Sequence, residues 1–359
     1  MGWRTIAATL GLLAAACDSG EGVLEGQDGD YAVVRTFYAT DRAPTGAEAP
    51  AERFGSSRGT LTYGRADVSI PRDHRMGELE APSVWRLEFR EDPEKHVVLL
   101  DVAPREPDEW FEEVRARVDD AANDAAFVFV HGYNVSFEDA ARRTGQMAYD
   151  LGFAGAPVFY SWPSAAQTVA YAMDGQAIEW SEPNIRRFLE DFLDRSEAQN
   201  VFLIAHSMGN RGLTRALAPL LAERPDLRPR IREIILTAPD IDADVFKRDI
   251  LPPLLEGERP ITLYAASDDM ALVTSKSLHA YPRAGDSADG IIVAEGMDTI
   301  DATGMDTGLL RHSYFAESQS VLSDIFHLIR DGSRAAERDG LTALEGESGG
   351  YFGFEGAGE

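Results

Sequence analysis

The segment Val201-Phe202-Leu203-Ile204-Ala205-His206-Ser207-Met208-Gly209-Asn210 runs from an apolar, strand-like stretch straight into a serine. Ala205 and Gly209 stand two residues to either side of it, and a helical pattern through Leu213, Leu217 and Leu220 follows. A strand–serine–helix junction turns so tightly that both flanking positions must be small. It lifts the hydroxyl clear of the sheet, and the helix N-terminus behind it favours developing negative charge. Ala205 occupies a position where glycine is the commoner choice, a difference of one methyl group that the turn can absorb. The chemistry open to such a serine is attack on a carbonyl with formation of an acyl-enzyme.

That chemistry needs a base, an acid and donors for an oxyanion. Upstream, Phe127-Val128-Phe129-Val130 ends in His131-Gly132-Tyr133-Asn134. Gly132 permits a bend there, and the backbone amides of Tyr133 and Met208 are the expected oxyanion donors. His131 reads as a histidine bracing this turn and His206 as a packing residue beside the serine. The acid should follow the serine and precede the base. In Tyr264-Ala265-Ala266-Ser267-Asp268-Asp269-Met270-Ala271-Leu272 a strand ends and a helix begins, and Asp269 is preferred because it immediately precedes the helical run. Asp268 is the alternative beside it. Asp240, in Thr237-Ala238-Pro239-Asp240, is the rival at the preceding strand end, its other reading being a helix cap.

Three histidines follow that acid: His279, His312 and His327. His279 follows too closely for another strand to intervene, and His327 sits in an amphipathic terminal helix. His312 falls in the loop between the last strand and the last helix, so Ser207, Asp269 and His312 make the expected triad. No ligand spacing points to a metal or cofactor. Asp298, Asp301 and Asp306 read as a solvated acidic loop rather than a calcium site.

The elements that must position these residues follow a regular order. Strands are expected over Tyr31–Ala39, Thr60–Ile70, Val84–Phe89 and Val97–Val102, then a helix over Glu109–Ala121. Short apolar runs then alternate with amphipathic segments: Ala126–Val130, Pro157–Ser161, Val201–Ala205, Glu233–Thr237, Ile261–Ala265 and Gly290–Ala294. Runs too short for helices and rich in β-branched and aromatic residues suit strands buried on both faces. Ser136 and Asp139 form a capping box for a helix over Phe137–Leu151, and Ser181 with Pro183 marks the start of another. The fold class is α/β: a mostly parallel central sheet with helices on both faces and extra N-terminal strands.

The formal charge of −27 on 359 residues repels phosphate backbones, so nucleic acid is not an expected partner. The single cysteine, Cys17, excludes an intramolecular disulfide and a thiolate metal cluster. It closes Arg4 followed by the apolar run Ile6–Ala16, a stretch too short to span a bilayer and shaped like a secretory leader. The stretch resembles a bacterial lipoprotein signal. That resemblance implies a lipid on Cys17, a membrane anchor and a place in the bacterial cell envelope, although Ala14 stands where such signals prefer leucine. Residues 1–17 are thus the expected leader, 18–30 a flexible acidic linker, 31–332 the folded domain and 333–359 a mobile tail.

Val130-His131-Gly132-Tyr133-Asn134, Tyr160-Ser161-Trp162-Pro163, Ala205-His206-Ser207-Met208-Gly209 and Ala238-Pro239-Asp240-Ile241-Asp242 together resemble a bacterial α/β-hydrolase family of poorly defined function in the esterase/lipase superfamily. The resemblance extends from about Phe37 to Asp331. It implies the α/β-hydrolase fold and a triad more firmly than a reaction. The expected substrate is a small acyl ester. Two other readings stay open: an inert hydrolase-like scaffold lipoprotein, and a lipase or acyltransferase working at the membrane without a long apolar lid.

Overall fold

The computed structural model describes residues 23–25, 30–83, 88, 90–121, 123–257, 260–305 and 319–355. It opens with β1 (Val23–Glu25), β2 (Tyr31–Pro44), β3 (Phe54–Pro71), β4 (Val98–Arg105) and α1 (Pro107–Asp119). The alternating part follows as β5 (Ala125–Val130), α2 (Phe137–Asp150), β6 (Ala156–Ser161), α3 (Tyr171–Arg195), β7 (Asn200–His206), α4 (Gly209–Glu223) and β8 (Ile231–Thr237). Short helices α5 (Ala243–Val245) and α6 (Leu251–Leu255) flank a π-helical turn. Then come β9 (Ile261–Ala265), α7 (Met270–His279), β10 (Met297–Asp301), α8 (Gln319–Asp331), β11 (Leu341–Gly346) and β12 (Gly349–Phe354).

Among the described residues the strands form one sheet in the order β11-β12-β10-β9-β8-β7-β5-β6-β2-β3-β4, with β1 paired to β2. Neighbours from β12 to β2 are parallel, and the outer pairs at both edges are antiparallel. The central strands are covered on both faces, which is why their sequences are unbroken apolar runs. Successive side chains still part to opposite sides. Val128, Val130, Leu203, Ala205, Ile234 and Leu236 join a core with α1, α3 and α4. Phe127, Phe129, Phe202, Ile204 and Ile235 join a second core with α2 and α8.

Several local expectations need correction. Ser181 and Pro183 lie inside α3, which starts at Tyr171. The buried stripe Ile178, Ile185, Phe188, Leu189, Phe192 and Leu193 carries the helix past the proline, whose missing N–H is the cost. Gly290–Ala294 is a loop, and the strand comes later, at Met297–Asp301. Thr299 in that strand donates its hydroxyl to the Ile292 carbonyl (2.7 Å), so the apolar run packs beside the sheet instead of joining it. Residues 341–354, placed in a mobile tail, instead make a hairpin whose β12 pairs in parallel with β10 at Ile300–Phe352 and Asp301–Gly353. The expected strand over Val84–Phe89 lies almost entirely outside the described residues.

β5 sits between β6 and β7, so the chain leaves it through α2 on one side and returns past it through α3 to the other. Where crossovers diverge in this way, the carboxyl ends of the strands leave a crevice that side chains do not fill. His131 follows β5 and Ser207 follows β7 at that point.

Candidate active site

Ser207 has φ +51°, a left-handed backbone that a non-glycine residue adopts at a cost of about 1–3 kcal/mol. The surrounding bonds hold it there. Its amide donates to the Thr237 carbonyl at the end of β8 (3.0 Å), while its carbonyl accepts from the amides of Asn210 (3.1 Å) and Asp240 (3.2 Å). Asn210 Nδ2 adds a further bond to the Ser207 carbonyl and one to that of Thr237, each at 3.0 Å. Met208 then caps α4, and its amide precedes the first helical residue, where a helix offers no carbonyl of its own.

Two glycines bring this turn against the loop after β5. A Cβ on Gly209 would lie 2.4 Å from the His131 carbonyl oxygen and 2.5 Å from that of Val130. A Cβ on Gly132 would lie 2.9 Å from His206 Nδ1 and 3.0 Å from the Ser207 Cβ. Gly132 therefore brings the 131–135 loop against the Ser207 side chain, with Tyr133 next in the chain.

That loop is fixed from below by Asp174 in the first turn of α3. The buried carboxylate accepts from the Asn134 amide (3.0 Å), the Ala165 amide (2.7 Å) and the Ser164 hydroxyl (2.6 Å). The Val135 amide donates to the Ser164 oxygen (3.2 Å), and Asn134 takes φ +57° between these anchors. From the other side Arg42, buried, donates to the carbonyls of Val135 (2.8 Å), Ser164 and Gly55 (both 3.0 Å) and to the Ser161 oxygen (2.9 Å). Burial lowers its pKa to about 10, which still leaves the guanidinium charged at neutral pH.

His131 braces the turn. Its ring stacks on Trp162 (centroids 5.0 Å apart), whose indole N–H donates to the His131 carbonyl (2.8 Å). Nδ1 faces the Gly132 carbonyl (2.8 Å), an acceptor only, so it carries the proton and Nε2 accepts from the Ser161 hydroxyl (3.2 Å). Burial, aided by the Arg42 charge, pushes its pKa down to about 3. It is a neutral strut.

The three candidate acids differ sharply. Asp240 is saturated: Oδ1 accepts from Arg283 Nε (2.8 Å) and the Ser275 hydroxyl (2.5 Å), and Oδ2 from Arg211 (2.9 Å) and the Tyr171 hydroxyl. Burial alone would raise its pKa, but the two guanidiniums outweigh that and hold it below the usual carboxylate value. Asp268 Oδ2 accepts from the Gly304 amide (3.2 Å). Asp269 is buried and caps α7, its Oδ1 taking the amides of Ala271 (3.0 Å) and Leu272 (3.1 Å). After burial, the charge of Asp269, followed by those of Asp240 and Asp174, raises the pKa of the Tyr133 phenol. His279 turns to the Ser275 carbonyl (2.9 Å) and the Tyr171 ring. His312 and Cys17 lie outside the described residues.

A cavity of about 600 Å³ opens here, in the range that holds a small organic ligand. His206 and Gly132, the neighbours of Ser207, belong to its wall, as do the apolar Leu79, Phe129, Met270 and Leu278. No group of three or more metal-ligating side chains occurs among the described residues. Sequence reasoning missed Asp174, Arg42 and Tyr171. An aspartate in a helical first turn was a usable signal for Asp174, had the helix been started at Tyr171.

Residues 106–331 match the family described as "Alpha/beta hydrolase of unknown function (DUF900)". No curated protein matches the chain. Among solved structures, Aspergillus fumigatus lipase B is 12% identical with a TM-score of 0.36, the match covering 58% of this chain and 53% of the lipase. A lipase-esterase related protein from Clostridium acetobutylicum is 12% identical (TM-score 0.33, 56% of this chain and 93% of that one). Carboxylesterase CesB from Bacillus subtilis is 11% identical (TM-score 0.32, 58% and 85%). The chain thus spans about half the length of the Aspergillus lipase.

Proposed function

The chain belongs to the α/β-hydrolase family DUF900, and on that premise we propose that it cleaves carboxylic esters through an acyl-enzyme on Ser207. The observation that carries this reading is the φ of +51° at Ser207, a strained non-glycine backbone at the strand-to-helix turn. In the proposed mechanism the Ser207 hydroxyl attacks the ester carbonyl while His312 takes its proton. Asp269 orients the imidazole and stabilises the imidazolium. The amides of Tyr133 and Met208 receive the oxyanion, and His312 returns the proton to the departing alcohol. Water then attacks the acyl-enzyme with His312 again as base, releasing the carboxylic acid. The apolar wall of the adjoining cavity supports an acyl chain as the group held there. We further propose that a lipid on Cys17 anchors the protein to a membrane of the bacterial envelope.

Labelling with a fluorophosphonate tests the reading. Wild type should label and hydrolyse p-nitrophenyl esters, and Ser207→Ala should do neither. His312→Ala should remove nearly all turnover, with the double variant little worse, because residues acting as one unit lose activity non-additively. A folded Ser207→Ala chain that keeps most of the wild-type turnover overturns the proposal.

A further inference from the structure

Large apolar side chains on a soluble surface are ordinary when scattered and informative when gathered. Among the described residues eight are exposed, and six of them (Val169, Met173, Met270, Val273, Leu278 and Tyr281) come from two short stretches at the start of α3 and along α7. Val169, Met270 and Leu278 are 93%, 57% and 65% exposed, yet each also lines the cavity beside Ser207. At these three the apolar surface outside meets the apolar part of the cavity wall, which Asp139 and Arg143 of α2 also line.

The charge pattern says what this rim can face. The chain carries 61 acidic residues in 359, but residues 168–173 and 270–281 contain none. The one lysine or arginine there, Lys276, is drawn to Asp286 (3.6 Å) and to Asp289. No carboxylate of these stretches has to be desolvated against hydrocarbon, and no unpaired basic cluster stands ready for anionic headgroups. A protein partner would be recognised by satisfied polar contacts around an apolar centre. Here three of the six apolar residues, Val169, Met270 and Leu278, instead line an opening, as fits a substrate that moves from one apolar phase into another.

We propose that this collar docks the protein on an electrically neutral lipid surface, from which an acyl ester enters the cavity without crossing water. The inference rests on the ester reading of the same cavity for its substrate, but docking is read without turnover. The full chain carrying Cys17→Ser has no other cysteine. Met173→Cys or Tyr281→Cys, added singly to it, therefore accepts one polarity-sensitive fluorophore, and Leu344→Cys, an exposed apolar position on β11, is the control.

With phosphatidylcholine vesicles, emission should shift to the blue at 173 and 281 but not at 344. No shift at 173 and 281, or an equal one at 344, overturns the proposal. A shift that grows with protein concentration in the absence of vesicles also overturns it, in favour of a second copy as the occupant. As a second measurement, Met173→Asp combined with Val273→Asp, both outside the cavity wall, should lower hydrolysis of a vesicle-borne ester at least tenfold. It should leave that of soluble p-nitrophenyl acetate unchanged; an equal loss on both substrates, or no loss on either, overturns docking. Vesicle shifts in a chain that no fluorophosphonate labels would support the collar and sink the ester reading alone.

Discussion

Gly209 approaches His131 so closely that a Cβ would stand 2.4 Å from the His131 carbonyl oxygen. The second small residue of the serine turn is thus demanded from outside the turn, by the backbone of the neighbouring strand end. Gly209→Ala should cost about 1–3 kcal/mol, the usual penalty for overpacking, and should also separate the Ser207 turn from the 131–135 loop. Urea denaturation and fluorophosphonate labelling of the same variant measure both. Unchanged labelling would show that the two loops do not need this contact.

The saturation of Asp240 separates two kinds of loss. Asp240→Asn strips a carboxylate from Arg211 and Arg283, both buried, and should destabilise the fold by about 3–5 kcal/mol. Asp269→Asn should instead lower kcat by at least a hundredfold with a modest change in melting temperature. Thermal melts and ester kinetics on both variants decide it. The reverse pattern would return the role of acid to Asp240.

Asp174 touches no expected reacting atom and acts through the loop it holds. Asp174→Ala releases the Asn134 and Ala165 amides and should lower kcat tenfold or more while KM moves little. Asp174→Asn keeps one acceptor oxygen and should recover part of the loss. A purely structural role would show as equal melting-temperature losses with no split between kcat and KM.

His74 predicts a pH-dependent stability. Burial alone would lower its pKa, but hydrogen bonds with Asp150 (2.8 Å) and Glu80 (2.9 Å) prevail and raise it from 6.5 to about 9. Below pH 6.5 both folded and unfolded chains hold the proton, so the stabilisation is fully present. It declines as pH rises through 9, since the unfolded chain releases its proton first. The gap in melting temperature between wild type and His74→Asn should be widest near pH 6 and small at pH 10. A constant gap would refute the linkage.

For the anchor, wild type should partition into the detergent phase and Cys17→Ser should not, or should stay unprocessed. Identical partitioning and processing would remove the lipid assignment.

The serine turn was legible because its signals are local: an apolar strand, two small residues and a helical repeat within one short stretch. The Ser136–Asp139 capping box, also local, stands as read. The start of α3 was hidden because Ala170 offers no side-chain cap and Pro183 inside the helix mimics a first turn. Arg42 was invisible for another reason, since its partners are backbone carbonyls and a hydroxyl far along the chain, and spacing does not display them. In the C-terminal hairpin, Gly346, Gly349, Gly350 and Gly353 read as slack, yet a Cβ on Gly353 would meet Leu344 Cδ1 at 2.8 Å.

The reach of Arg42 also bears on the order in which the molecule matures. Its side chain ties together residues 13, 93, 119 and 122 positions away, whereas the hydrogen bonds that hold the Ser207 turn reach no farther along the chain than Asp240. Contacts of such wide separation form late, after the chain entropy of closing long loops has been overcome. A refolding chain should therefore regain helical signal, and even the serine turn, before the 131–135 loop has its clamp. Competence to form the acyl-enzyme would then lag behind secondary structure, and the length of that lag would time the arrival of a single arginine.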